Sequence, residues 1–188
     1  MIFNAHPNVK GLHAPLGGSN YHWIRYDDEK LVRVFSNLFA KERGTRLHDF
    51  AAQCISLRQK LPAQKKTLNM YVNDAIGFGM QPEVVLFYSP NIYGTADAIC
   101  FSGNCLRIHD LKTGVEKAHM EQLQVYAALF CLEYKQDPAK LENIVLSIYQ
   151  NNEIMTMEAD PKDIQYIMDK AVAFDKILGN LKEEFKYG

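Results

Sequence analysis

With 188 residues, 47% of them hydrophobic and 23% charged, and a net charge of −1, the chain has the balance of a soluble globular protein and the length for one domain with a sizeable core. No apolar run approaches the roughly eighteen residues of a membrane span. The start, Met1-Ile2-Phe3-Asn4-Ala5-His6-Pro7, also lacks the charged n-region and long h-region of a signal peptide, so a cytoplasmic protein without a membrane partner is expected.

Residues 1 to 26 carry Gly11, Pro15, Gly17 and Gly18 and then the aromatic cluster Tyr21, His22, Trp23 and Tyr26, which reads as an irregular entry segment. From Asp27 or Asp28 a helix is expected, with acidic residues in its first turn and Leu31, Phe35, Leu38 and Phe39 at helical spacing. A second helix is expected from Arg43 to Lys60, on the stripe Leu47, Phe50 or Ala51, Cys54 and Leu57, and a short third one from Thr67 to Ile76, stopped by Gly77 and Gly79. Glu83 to Tyr88, Gly94 to Phe101 and Cys105 to Leu111 read as three strands of a meander, being short, rich in β-branched and aromatic residues, and divided by Pro, Gly and Asn. A helix from Glu116 to Tyr134 follows, then strands Asn143 to Tyr149 and Ile154 to Glu158 around an Asn151-Asn152 turn. Asp160-Pro161 opens a closing helix with Ile164, Ala171, Phe174, Leu178 and Leu181 on one stripe.

Charge is unevenly spread. Residues 1 to 66 hold eleven Lys or Arg against five Asp or Glu, and the remainder ten against seventeen. A basic N-terminal third suits a polyanion, although solvated helix faces account for the charge equally well. The four cysteines, Cys54, Cys100, Cys105 and Cys131, show no C-x-x-C pair or zinc-ligand spacing and are read as reduced core residues.

The strand pair around Ser102-Gly103-Asn104 holds the most specific chemistry. A two-residue Gly103-Asn104 loop pairs Ser102 with Cys105, and that register sets Asp97 opposite Asp110. Opposed side chains lie about 4.5–5.5 Å apart at Cβ, so two carboxylates there repel unless a positive charge sits between them. A divalent cation supplies it, with Mg²⁺ or Mn²⁺ suited to carboxylate oxygens, and Lys112 completes an Asp…Asp-x-Lys constellation that phosphodiester hydrolysis would use. The alternative is that the strands end sooner and leave both aspartates in solvent, with Lys112 as a plain salt bridge. His48, taken alone, is a surface or core histidine, while Gly44 one turn earlier leaves a notch through which a ligand or the sheet can approach. Glu83 opens the first strand as a further acidic candidate, but a long loop from Ser89 to Tyr93 leaves its register open. Gln122 and Tyr126, one helical turn apart, read singly as routine surface groups.

Together these residues resemble the RecB-like branch of the PD-(D/E)XK nucleases, a group that includes lambda-type phage exonucleases and CRISPR-adaptation nucleases. The matching pieces occur in order: Gly44-Thr45-x-Leu47-His48, Gly94-x-x-Asp97, Ile108-His109-Asp110-x-Lys112-Thr113-Gly114, and Gln122-x-x-x-Tyr126. The resemblance implies an α/β restriction-endonuclease-like core with a mixed central sheet of about five strands flanked by helices. It implies one or two Mg²⁺ or Mn²⁺ ions held by His48, Asp97, Asp110 and the Leu111 carbonyl, with Glu83 as a further acidic position. Lys112 would be the catalytic lysine, and Gln122 and Tyr126 would contact DNA and support the site. Leu16-Gly17-Gly18-Ser19-Asn20-Tyr21-His22-Trp23 is similar to the entry segment of phage-encoded members, and the cysteine quartet of relatives with an iron–sulfur cluster is missing.

The expectation is therefore a single nuclease domain, a metal-dependent deoxyribonuclease and more specifically an exonuclease in phage or prophage DNA recombination or repair. Its partners would be DNA and, beyond that, a phage recombination protein or further copies of the chain. Arg25, Arg33, Arg43 and Arg46 are candidates for phosphate contacts, and Tyr21 or Trp23 for stacking on an end base. An endonuclease of the same fold shares every one of these site residues, and a non-catalytic DNA- or protein-binding module that keeps the fold is the alternative from another class.

Overall fold

The structure, a computed structural model, describes residues 7–9, 14–114 and 118–187. Part of the expected entry segment, Gly11 included, and the expected helix start at Glu116 lie outside the described residues. The chain separates into two compact units, Met1–Arg43 and Gly44–Gly188.

In the first unit the entry segment is less irregular than expected. It forms 3₁₀ turns over Pro7–Val9 and Gly18–Arg25, the latter broken at Asn20. The Trp23 indole donates to the Gly17 carbonyl at 3.2 Å, and Gly17 N–H donates to Ala14 at 3.0 Å, which closes the segment on itself. Asp27 accepts the Lys30 N–H at 2.7 Å, so its side chain caps the helix that follows. That helix, α1 (Asp28–Ser56), replaces the two expected. No proline interrupts it, and Gly44, which keeps both backbone hydrogen-bonding groups, weakens a helix by only about 1 kcal/mol.

The second unit is α/β. Strands β1 (Gln81–Ser89), β2 (Ile92–Ser102), β3 (Cys105–Leu111), β4 (Asn143–Gln150) and β5 (Glu153–Glu158) form one mixed open sheet in that order, antiparallel except for the parallel β3–β4 pair. Flanking it are α2 (Thr67–Gly77), α3 (Glu121–Glu133) and α4 (Pro161–Tyr187). The parallel pair requires a crossover, and α3 supplies it. Hairpin β2–β3 turns on Gly103 and Asn104, at φ +56° and +60°, and β4–β5 on Asn151 and Asn152, at +52° and +62°. Glycine and asparagine tolerate that left-handed backbone, which matches the strand twist.

Alternation along the strands divides the core in two. Leu86, Ile99, Leu106, Ile108 and Leu146 are buried with Leu123, Ala127 and Phe130 of α3 and Ile164 of α4. Ala98, Leu111 and Tyr149 are buried with Ala51, Cys54 and Ile55 of α1 and with Tyr71, Val72 and Ala75 of α2. The Glu133 carboxylate of α3 accepts the Phe87 N–H of β1 at 2.8 Å. All four cysteines are free, Cys54 and Cys131 buried and Cys100 and Cys105 half-buried. No helix among the described residues is long and apolar enough to cross a membrane.

Candidate metal centre

Pairing between β2 and β3 runs from Ser102↔Cys105 to Ala98↔His109, the register that a Gly103-Asn104 turn dictates, and ends one position short of Asp97 and Asp110. Strand β3 continues on its other side against β4 as far as Leu111↔Tyr149. Where β2 departs, the Asp97 carboxylate accepts the Leu111 N–H at 2.8 Å and stands in for the backbone acceptor that the ladder no longer supplies. Leu111, whose carbonyl is the expected metal ligand, is also tied to the centre through its N–H.

Asp97 and Asp110 stay near enough for the Asp97 charge to act on Asp110, and Asp97 also belongs to a further grouping. His48, Glu83 and Asp97 each bring a ligand atom within 4.8 Å of the other two. His48 Nδ1 lies 3.4 Å from Asp97 Oδ2. The loop expected from Ser89 to Tyr93 is a two-residue Pro90-Asn91 turn, and this fixes β1: Pro82↔Ala98 and Val84↔Ala96 are paired, with Glu83 between them opposite Asp97. Glu83 adopts φ +52°, a left-handed conformation that costs a non-glycine residue about 1–2 kcal/mol and that the surrounding ladder imposes.

Asp110 is buried, and both of its oxygens lie 3.0 Å from Lys112 Nζ. The contact to Oδ1 is a hydrogen bond, whereas Oδ2 has the charge beside it but no hydrogen-bond partner. Lys112 Nζ also donates to Gln122 Oε1 at 2.8 Å, and Gln122 Nε2 donates to the Tyr126 hydroxyl at 3.0 Å, so one polar chain runs from β3 onto α3. Burial, then Asp97, raises the Asp110 carboxyl above the usual range despite Lys112. Burial and Asp97 raise Glu83 against the opposing pull of His48. The hydrogen bond to Asp97 raises His48 against desolvation, helped by the Asp97, Asp110 and Glu83 charges. Tyr71 of α2 is held neutral by burial first and then by the same three carboxylates.

Two glycines permit these approaches. A Cβ on Gly94 would lie 2.8 Å from Tyr126 Cε1, and one on Gly44 would lie 2.8 Å from Thr113 Oγ1. The notch read at Gly44 therefore receives Thr113, the residue after Lys112. Gly94→Ala is expected to cost about 1–3 kcal/mol by crowding the ring. In urea unfolding, the Gly94→Ala/Tyr126→Ala pair should show a coupling of at least about 1 kcal/mol, and strict additivity would remove this account of Gly94.

The donor set fits a hard divalent cation. One imidazole and two carboxylates converge, no thiolate takes part, and the unpartnered Asp110 Oδ2 is an oxygen a cation would satisfy. Among the other expected residues, Arg46 is exposed on α1 two positions before His48. Tyr21, Trp23, Arg25, Arg33 and Arg43 belong to the first unit, where Tyr21 is exposed and meets His22 in a tilted contact with ring centroids 4.5 Å apart. Tyr71 escaped the sequence reading because only tertiary approach brings it in, and Thr113, present in the matching motif, was given no contact there. His109 is buried against Phe78 and Tyr149 and is pushed down to about 4 by burial, then by Arg107, so it stays neutral. A cleft of about 440 Å³ beside Phe78, Leu86, Phe101 and Tyr134 includes none of the centre's residues.

No curated protein and no solved structure matches the chain. A family model described as a protein of unknown function, DUF2800, matches residues 84–188, more than half of the chain. That stretch contains Asp97, Asp110, Lys112, Gln122 and Tyr126, while His48 and Glu83 precede it.

Proposed function

We propose that this chain, which belongs to the DUF2800 family, is a divalent-metal-dependent deoxyribonuclease, and specifically an exonuclease acting in phage or prophage DNA recombination or repair. The observation that carries the reading is the convergence of His48, Glu83 and Asp97 within 4.8 Å beside the buried Asp110–Lys112 pair. His48, Glu83, Asp97, Asp110 and the Leu111 carbonyl would hold Mg²⁺ or Mn²⁺. When bound, such an ion neutralises charge on the scissile phosphate and lowers the pKa of a water.

The chain's own groups supply the rest. Lys112 is held from two sides, by Asp110 and by Gln122, which leaves one ammonium N–H, among the described residues, to orient the attacking water or to meet the phosphate oxygens as negative charge builds on them. Gln122 and Tyr126 fix the lysine rotamer and present polar edges to the DNA backbone. Water adds to phosphorus, the P–O bond of the leaving nucleotide breaks, and one end keeps the phosphate while the other leaves as a hydroxyl. Arg25, Arg33, Arg43 and Arg46 are assigned to phosphate contacts, and Tyr21 or Trp23 to stacking on an end base.

Linear and covalently closed circular DNA separate the modes of attack. With Mg²⁺ or Mn²⁺ the chain is expected to degrade linear DNA and leave closed circles intact. Prompt nicking of circles would replace the exonuclease with an endonuclease, and inertness toward both would leave a binding module.

A further inference from the structure

Helix α4 places Ile164, Ile167, Ala171, Phe174, Leu178, Leu181 and Phe185 at alternating steps of three and four, the repeat whose seam accepts a second helix. Its first turns serve the chain's own core, where Ile164 is fully buried and Ile167 and Met168 pack against the α3 cluster. From Phe174 onward the same stripe stays open. Phe174 is 53% exposed, Leu178 41%, Leu181 41% and Phe185 86%, and Ile177 beside the stripe is 53% exposed.

The two flanks of this open stripe differ. On one, Asp175 accepts from Ser89 Oγ at 2.5 Å and from Asn91 Nδ2 at 2.8 Å, and Lys182 donates to Asn91, so this side is fastened to the β1–β2 turn. On the other, Lys170, Ile177 and Glu184 recur at heptad intervals. The Lys170 ammonium lies 5.1 Å from the Tyr166 ring and 5.8 Å from the Phe174 ring, which holds its charge beside the stripe.

The geometry points to a second copy of this chain as the occupant, its α4 laid antiparallel on the first. The free flank reads basic, apolar, acidic about Ile177. A two-fold axis there sets Lys170 against Glu184 of the copy, Glu184 against Lys170, and Ile177 against its own equivalent. A parallel pair would instead bring Lys170 to Asp175, whose carboxylate is already engaged by Ser89 and Asn91. An unrelated partner would have no need of this inversion symmetry. The overlap from Ala171 to Phe185 is about 22 Å of helix, and a two-fold contact closes on itself rather than propagating. The inference is independent of the nuclease reading.

Sedimentation velocity of the full chain over a wide concentration range tests it. The expected result is a monomer–dimer equilibrium that Leu178→Glu abolishes while circular dichroism, and the thermal midpoint at dilutions where the native chain is monomeric, are retained, since the position is exposed. Lys170→Glu and Glu184→Lys should each weaken the dimer about tenfold or more, and the double swap should restore it. A monomer at every concentration would overturn the proposal. So would a dimer indifferent to Leu178→Glu, or a double swap no tighter than the single ones.

Discussion

Asp110→Asn is expected to abolish DNA cleavage and, in the same protein without metal, to raise the thermal midpoint at neutral pH. The first effect follows from removing a charged oxygen from the centre. A loss of about 4 kcal/mol of transition-state stabilisation is on the order of a 10³-fold drop in rate. The second effect follows from the raised Asp110 carboxyl, for which burial and Asp97 outweigh Lys112. A carboxyl that ionises later in the folded chain than in the unfolded one contributes its full stability below the ordinary carboxylate range, and that contribution is lost as pH rises through the raised folded value. At neutral pH the native chain therefore bears the cost of a buried charge, whereas asparagine is neutral and keeps an oxygen for Lys112. The gap between variant and native midpoints should narrow as pH falls into the carboxylate range. Mn²⁺ should raise the native midpoint by mass action and raise that of Asp110→Asn much less. Scanning fluorimetry across pH, with and without Mn²⁺, reads all of this. Undiminished cleavage by the variant, or a native midpoint indifferent to Mn²⁺, would remove Asp110 from the centre.

Lys112→Met should also be inactive, yet shift stability the opposite way. The methionine keeps most of the apolar stem but removes the one cation that touches Asp110 among the described residues, and it strips Gln122 Oε1 of its donor. Loss of an electrostatic group that meets developing charge typically costs about 10²–10³ in kcat. Leaving a buried carboxylate without its partner costs about 1–3 kcal/mol or more, so the urea midpoint should fall. Asp110→Asn in the same chain should then recover most of the lost stability without restoring cleavage, because the two residues act as one pair. Equal signs for the two single variants would mean that the Asp110–Lys112 contact is not what sets the charge balance there.

Local signals carried the hairpin. Gly103-Asn104 determines a two-residue turn, and the turn determines which residues of β2 and β3 face each other, so the level of Asp97 and Asp110 was legible before any coordinates. That the ladder would stop there was not, because beyond that point the Asp97 side chain, fourteen positions away, takes the Leu111 N–H. The register of Glu83 stayed open for a related reason: Ser89 to Tyr93 has the composition of a loop, yet the strands run almost through it and meet at Pro90-Asn91. Gly44 was legible as a notch on its helix, but its occupant, Thr113, was not, because the two residues meet only through tertiary approach. Gly94 meets Tyr126 and Asp97 meets His48 across long separations, and no local pattern announces such contacts. For His48 the pointer was the family resemblance, since an isolated histidine on a helix carries little chemistry by itself.

The Glu133 carboxylate on the Phe87 N–H bears on how the protein behaves in a crowd. An open sheet has two outer strands, and each is a template on which a neighbouring chain can add a strand. Here β1 has Pro82, which lacks an N–H, and one of its donors is already plugged by α3. At the opposite border β5 is six residues long and bounded by Glu153 and Glu158. Both borders are blunted against strand addition, so the two edges of the sheet are poor templates for a neighbouring chain.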